Sequence, residues 1–206
     1  MWWLTGCAPP DPPAPRTCPC SEIAADAPVT DEAGLVALLA SARQQVFPEL
    51  AGVAIGVAPV EDLAFFRAWV ELDTVALDDG RARDHTVQYD PIVLSDPPPA
   101  GALAALLVHE LAHVADYVGW DSAELVEFGV WYGTADPMTS DELSAYERQT
   151  DETALRRGCA EGLAAAREWI YAHSDPEVLA EKQRNYWTPA EIDAWTRANG
   201  ACVQGD

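Results

Sequence analysis

The sequence predicts an α+β fold in which a small, mostly antiparallel sheet is followed by a mainly helical C-terminal half. Three observations predict it. Two segments in the first half, 65–77 and 85–94, read as extended, the first alternating its side chains about a period of two, and Asp78-Asp79-Gly80 supplies turn chemistry between them. Beyond residue 95, cap residues recur ahead of apolar stripes with a three-to-four-residue period. With 206 residues, 49% of them hydrophobic and eight of them Trp, the chain can bury one sizeable core but has little room for two.

The elements follow in order. Residues 1–28 are proline-rich and aperiodic, an extended tether, which leaves 29–206 as the folded domain. From Asp31 to Val46 the stripe Leu35, Leu38, Leu39, Ala42 and Val46 predicts a helix that stops before Pro48. Ala51–Val60 is a short apolar run with two glycines, a buried strand. Two further strands follow at Phe65–Leu77 and His85–Leu94, with Pro91 favouring an edge position for the last. Asp96-Pro97 is a cap and first turn for a helix through Leu103, Leu107, Leu111 and Val114 to Tyr117, closed by Gly119. Asp121–Tyr132 is another. Thr139 with Glu142 makes a capping box for a long helix through Ala172, softened at Gly158 and Gly162. Asp175-Pro176 and Thr188-Pro189 with Glu191 open the last two, the second ending at Asn199-Gly200.

Charge narrows the function. Asp and Glu number 34 against 12 Lys and Arg, a formal charge of −22, and Lys182 is the single lysine. Nucleic acid and anionic surfaces need clustered cations, so they are excluded as partners held by charge, while a metal ion or a basic peptide is favoured. Cys18, Cys20, Cys159 and Cys202 suit two disulfides in an oxidising compartment. Cys18 and Cys20 are too close to pair with each other, so each is expected to reach Cys159 or Cys202; which reaches which stays open. Beyond the N-terminus, no segment approaches the ~18 apolar residues that span a bilayer. Leu4-Thr5-Gly6-Cys7 resembles the lipobox of bacterial lipoproteins, which implies a lipid anchor at Cys7 and a place in the cell envelope, outside the cytoplasm. A secretory signal needs more apolar residues than Trp2, Trp3 and Leu4, so Met1 is expected to be internal to a longer chain.

The chemistry sits in the helix closed by Gly119. Of only four histidines, two occur in His109-Glu110-Leu111-Ala112-His113. At i and i+4 both imidazoles lie on one helical face and can reach one tetrahedral ion, while Glu110 projects beside it. The competing reading is two packed histidines.

This motif resembles that of the HExxH zinc metallopeptidases, the zincins. The metzincin extension fails, because its Gly and His positions hold Asp116 and Gly119. The gluzincin pattern fits better, with a Glu on the next long helix and an Asp four residues later, here Glu147 and Asp151 in Ala145-Tyr146-Glu147-Arg148-Gln149-Thr150-Asp151. The resemblance implies a zincin-like fold, zinc held by His109, His113 and Glu147, and Asp151 accepting an imidazole N–H behind the ligands. A competing third ligand is Asp136, since Gly133-Thr134-Ala135-Asp136 resembles the start of the aspzincin signature. It further implies a peptide or protein substrate paired with the edge strand before the motif helix, and hydrolysis by a zinc-activated water with Glu110 as general base. An oxyanion donor is expected from downstream, with His173 named first and Tyr171, Tyr132 and Tyr117 behind it. The alternatives are a zinc-binding envelope protein without catalysis and a hydrolase of another amide, such as a peptidoglycan crosslink.

Overall fold

The computed structural model describes residues 16–23, 28–61, 65–71, 75–77 and 79–204. Cys7 and the lipobox-like residues lie outside them. Among the described residues the architecture is α+β, with a three-stranded sheet, a two-stranded ladder that joins the two ends of the chain, and helices.

Residues 16–23, inside the stretch read as tether, belong to the body. β1 (Arg16–Thr17) pairs antiparallel with β5 (Val203–Gln204), and α1 (Pro19–Ile23) buries Cys20 and Ile23. Disulfides join Cys18 to Cys202 and Cys20 to Cys159, which resolves the connectivity that spacing left open. α2 (Glu32–Val46) forms where its apolar stripe predicts, with the Asp31 carboxylate accepting from Gly34 N and Leu35, Leu38, Leu39, Ala42 and Val46 buried.

β2 (Ile55–Pro59), β3 (Phe66–Val70) and β4 (His85–Tyr89) make the sheet, in the order β2-β4-β3. Two expectations fail here. The sheet is mixed, since β4 runs parallel to β2 and antiparallel to β3. β4 is also central, leaving β3 on the edge. Pro91 does not prevent this, because β4 ends at Tyr89 and the missing N–H falls beyond the ladder.

The residues expected to continue that strand form a single turn, α3 (Ile92–Ser95), closed by Asp96. The motif helix α4 (Ala100–Gly119) therefore starts later than Asp96-Pro97 implies. Pro97, Pro98 and Pro99 disfavour helix at the residue before each of them, which holds the chain extended until Ala100. By length and composition α4 is apolar enough to cross a membrane, a feature sequence inspection missed, but it is the central helix of the core, with fourteen of its residues buried.

The buried Arg83 closes the C-terminal end of α4. Its guanidinium donates to Tyr117 O (3.1 Å) and Trp120 O (2.8 Å), where the helix dipole favours a cation. α5 (Ser122–Thr134) carries a full capping box between Asp121 and Glu124. The long helix expected from Thr139 to Ala172 is two. α6 (Asp141–Arg156) is capped by Ser140, with Thr139 turned to Asp136 instead. Gly158, at φ 83°, ends it in the left-handed turn that Gly adopts most readily. α7 (Ala160–His173) then packs against α4 so closely that a Cβ on Gly162 would stand 2.4 Å from Gly101 O. α8 (Pro176–Asn185) and α9 (Pro189–Asn199) start at their expected caps, Asp175 and Thr188.

Candidate metal centre

α4 supplies the floor of the site. Its i, i+4 spacing sets the His109 and His113 rings on one face, and each ring is fixed from behind through Nδ1. His109 Nδ1 donates to Asp151 Oδ1 (2.9 Å), and His113 Nδ1 lies 2.9 Å from the Tyr146 hydroxyl. With Nδ1 donating in the neutral form of each ring, Nε2 is the nitrogen left to bind a metal. Those two nitrogens face each other at 3.2 Å. α6 brings Glu147 Oε2 to 3.3 Å from His109 Nε2 and 3.4 Å from His113 Nε2, and this buried oxygen has no hydrogen-bond donor.

The two imidazoles and the Glu147 carboxylate thus converge, and the three side chains form a group close enough to bind a metal ion. The fit is quantitative. Ligand bonds of about 2.0–2.1 Å in a tetrahedral site imply ligand–ligand edges of about 3.3–3.4 Å. The observed edges are 3.2, 3.3 and 3.4 Å.

The surroundings hold the ligands still. Asp151, fully buried, accepts from His109, from Arg167 Nη2 (2.5 Å) and from Trp187 N (2.8 Å). Tyr132 donates to the other oxygen of Glu147 (2.6 Å). Behind His113, burial raises the pKa of Asp116 and of Tyr117, and Tyr146 acts against that rise in both. Burial alone would lift the Glu147 carboxyl, but the two imidazoles hold it well below the usual carboxylate range. Burial alone would likewise lower His109, but Asp151 and Glu147 push it up to about 9. Both shifts describe a site that favours positive charge between the three ligand atoms.

Tyr186 borders the site. Its ring centroid lies 5.7 Å from that of His109, and burial followed by the charge of Glu147 keeps the hydroxyl protonated far above its ordinary range. The Arg167 guanidinium covers its ring at 4.5 Å.

The triad lies on the wall of a cavity of about 640 Å³ that runs between the edge strand β3 and one face of α5. Glu110, 5% exposed, lines it beside the ligands, as do Tyr117, Tyr132 and Tyr186. The other proposed residues are elsewhere. Asp136 is in an exposed turn, accepting from Met138 N and Thr139 Oγ1. His173 stacks on Trp169 and spends both ring nitrogens on Trp169 O and Asp96 Oδ2, and it does not line the cavity. Tyr171 is not among the lining residues either.

Sequence reasoning missed Tyr146, Tyr186 and Arg167. The first adjoins Glu147 and could have been found by asking what lies beside a ligand; the other two have no signal in spacing. No protein-family profile, curated protein or solved structure matches the chain.

Proposed function

We propose that the protein is a zinc-dependent peptidase that hydrolyses peptide bonds at this centre. One observation carries the reading: three buried ligand atoms 3.2–3.4 Å apart, with a carboxylate that is not one of them, Glu110, on the same open cavity. A site that bound metal only for structure would use four protein ligands and would have no use for a free base at its side.

His109, His113 and Glu147 would hold the ion. When bound, zinc supplies Lewis acidity toward the scissile carbonyl and makes water a stronger acid. Glu110 takes the proton of the attacking water and returns it to the leaving amine. The protonated Tyr186 hydroxyl is the better-placed oxyanion donor than His173, because it shares the cavity with Glu110 and Glu147. The edge strand β3 takes the role expected of His85–Leu94. Its five residues line the cavity, and an extended peptide pairs with such an edge through its backbone. Asp151 and Tyr146 orient the imidazoles. The two disulfides support a location outside the cytoplasm.

The test is metal analysis of the purified chain joined to cleavage of a mixed peptide library by wild type and Glu110→Gln. One zinc per chain, cleavage by wild type and a loss of at least about a hundredfold in the variant are expected. A wild type that takes up no zinc on titration overturns the reading. Zinc uptake with equal inactivity of both proteins would favour the non-catalytic alternative.

A further inference from the structure

We infer that the cavity between β3 and α5 selects substrates with a bulky apolar side chain close to the scissile bond, Leu or Phe rather than a small or charged residue. This rests on the peptidase reading of the metal centre and adds the substrate class.

The argument begins with α5. Its cleft face carries two parallel rows, Leu125-Gly129-Gly133 and Val126-Val130, and both line the cavity. Val126 and Val130 are 52% and 62% exposed, an unusual state for large apolar side chains on a helix next to a core. A Cβ built on Gly129 or Gly133 would meet nothing within 4 Å, so the glycines open the wall where the valines make it apolar. Ala68 and Val70 of β3, Val75, Tyr117 and Phe128 line the same cavity.

Arg67, on β3, is the one charged side chain that β3 and α5 contribute to the wall. Arg67 donates twice to Gln88 (2.9 and 2.5 Å), and Lys182 pairs with its neighbour Glu181 (3.2 Å). The remaining charged lining groups are Glu110 and Glu147, at the metal centre. Glu147, buried and with its Oε2 lacking a donor, lines the same cavity, which ties the apolar recess to the reacting centre rather than to a surface patch. An occupant that pairs with β3 and reaches the metal centre therefore places a neighbouring side chain against α5.

Gly129 gives a clean probe. Within a helix Gly is the weaker former, so replacing it by Leu favours the helix while filling the recess. The experiment measures binding of N-acetylated hexapeptide amides, glycine except for one varied residue, to zinc-loaded Glu110→Gln protein by calorimetry, so that the peptides stay intact. The Leu and Phe peptides should bind about tenfold to a hundredfold more tightly than the Ala, Asp or Lys peptides. Adding Gly129→Leu should bring the Leu and Phe peptides down to the Ala level, with zinc content still stoichiometric. Equal affinities across the series, tighter binding of a charged peptide, or an undiminished Leu preference in the Gly129→Leu protein overturns the inference. A chain that takes up no zinc fails the peptidase reading instead; the side-chain preference is then read on the metal-free chain by the same titration, where its absence still overturns the inference.

Discussion

Replacing Asp151 by Ala should damage both the metal centre and the fold, by amounts that the geometry sets. The carboxylate is fully buried and serves three donors from three parts of the chain: His109 on α4, Arg167 on α7 and the backbone of Trp187. Its removal leaves the Arg167 guanidinium, 2% exposed, without its counter-charge. Breaking a buried pair in this way costs about 3–5 kcal/mol. The freed backbone N–H of Trp187 adds about 1–3 kcal/mol if no water reaches it. Metal binding should weaken by about tenfold to a hundredfold, because nothing then fixes His109 with Nε2 unprotonated toward the ion. Urea unfolding of the metal-free chain reads the first effect, and zinc competition against a chromophoric chelator reads the second. Asp151→Asn separates them, since it keeps the volume but removes the charge. If Asp151→Ala unfolds within about 0.5 kcal/mol of wild type and keeps its zinc affinity, the account of this residue as the link between core and site is wrong.

Tyr186→Phe should retain zinc and lower kcat by about a hundredfold to a thousandfold, with KM nearly unchanged; an unaltered kcat would remove Tyr186 from the reaction. Gly162→Ala should destabilise by about 1–3 kcal/mol in denaturant, because its Cβ would press on the α4 backbone at Gly101 O, and a neutral result would mean that the two helices separate freely. His85, 1% exposed with Nδ1 unpartnered, has its pKa lowered, chiefly by burial, against raising by the Gly80 O hydrogen bond, with smaller effects from Arg83, which lowers it, and Asp84, which raises it. A depressed histidine contributes stability that is full above its unfolded value of about 6.5 and lost as pH falls through its folded value. Wild type should therefore lose more stability than His85→Gln between pH 7.5 and 5.5, and equal losses would contradict the burial argument.

What the sequence made legible was whatever helical periodicity converts into geometry. His109 and His113, and again Glu147 and Asp151, stand four apart on single helices, so their relative positions followed once the helices were assigned. Caps at Asp175 and Thr188 were readable because capping is a contact over two or three residues. Contacts between elements were not readable. Tyr186 meets His109 across 77 residues and Arg167 meets Asp151 across 16, with no repeat linking them. Strand order failed for the same reason. Alternation identifies an extended segment and its faces, but β4 sits between β2 and β3 because of how the segments pack, and Pro91 could not report on it from outside the ladder.

The buried charges explain why the metal should matter to the whole fold. Glu110, Glu147 and Asp151 are all buried, and the buried Arg167 pairs with Asp151, which leaves the carboxylates of Glu110 and Glu147 as two negative charges with no guanidinium against them. Charge held out of water in this way is costly unless it is paired. One divalent ion at the triad restores neutrality, whereas protonating His109 supplies half of that and leaves Glu147 Oε2 still without a donor in the present geometry. Zinc should therefore raise the unfolding free energy by about 2.7 kcal/mol at a free concentration a hundred times its Kd. Calorimetric melting with zinc and with a chelator reads this difference directly, and Glu147→Gln, which removes one of the two excess charges, should narrow it. Equal melting temperatures with and without zinc, in a chain shown to bind it, would mean that the ion binds the unfolded chain as well as the native one, and the triad could not then be a preformed site.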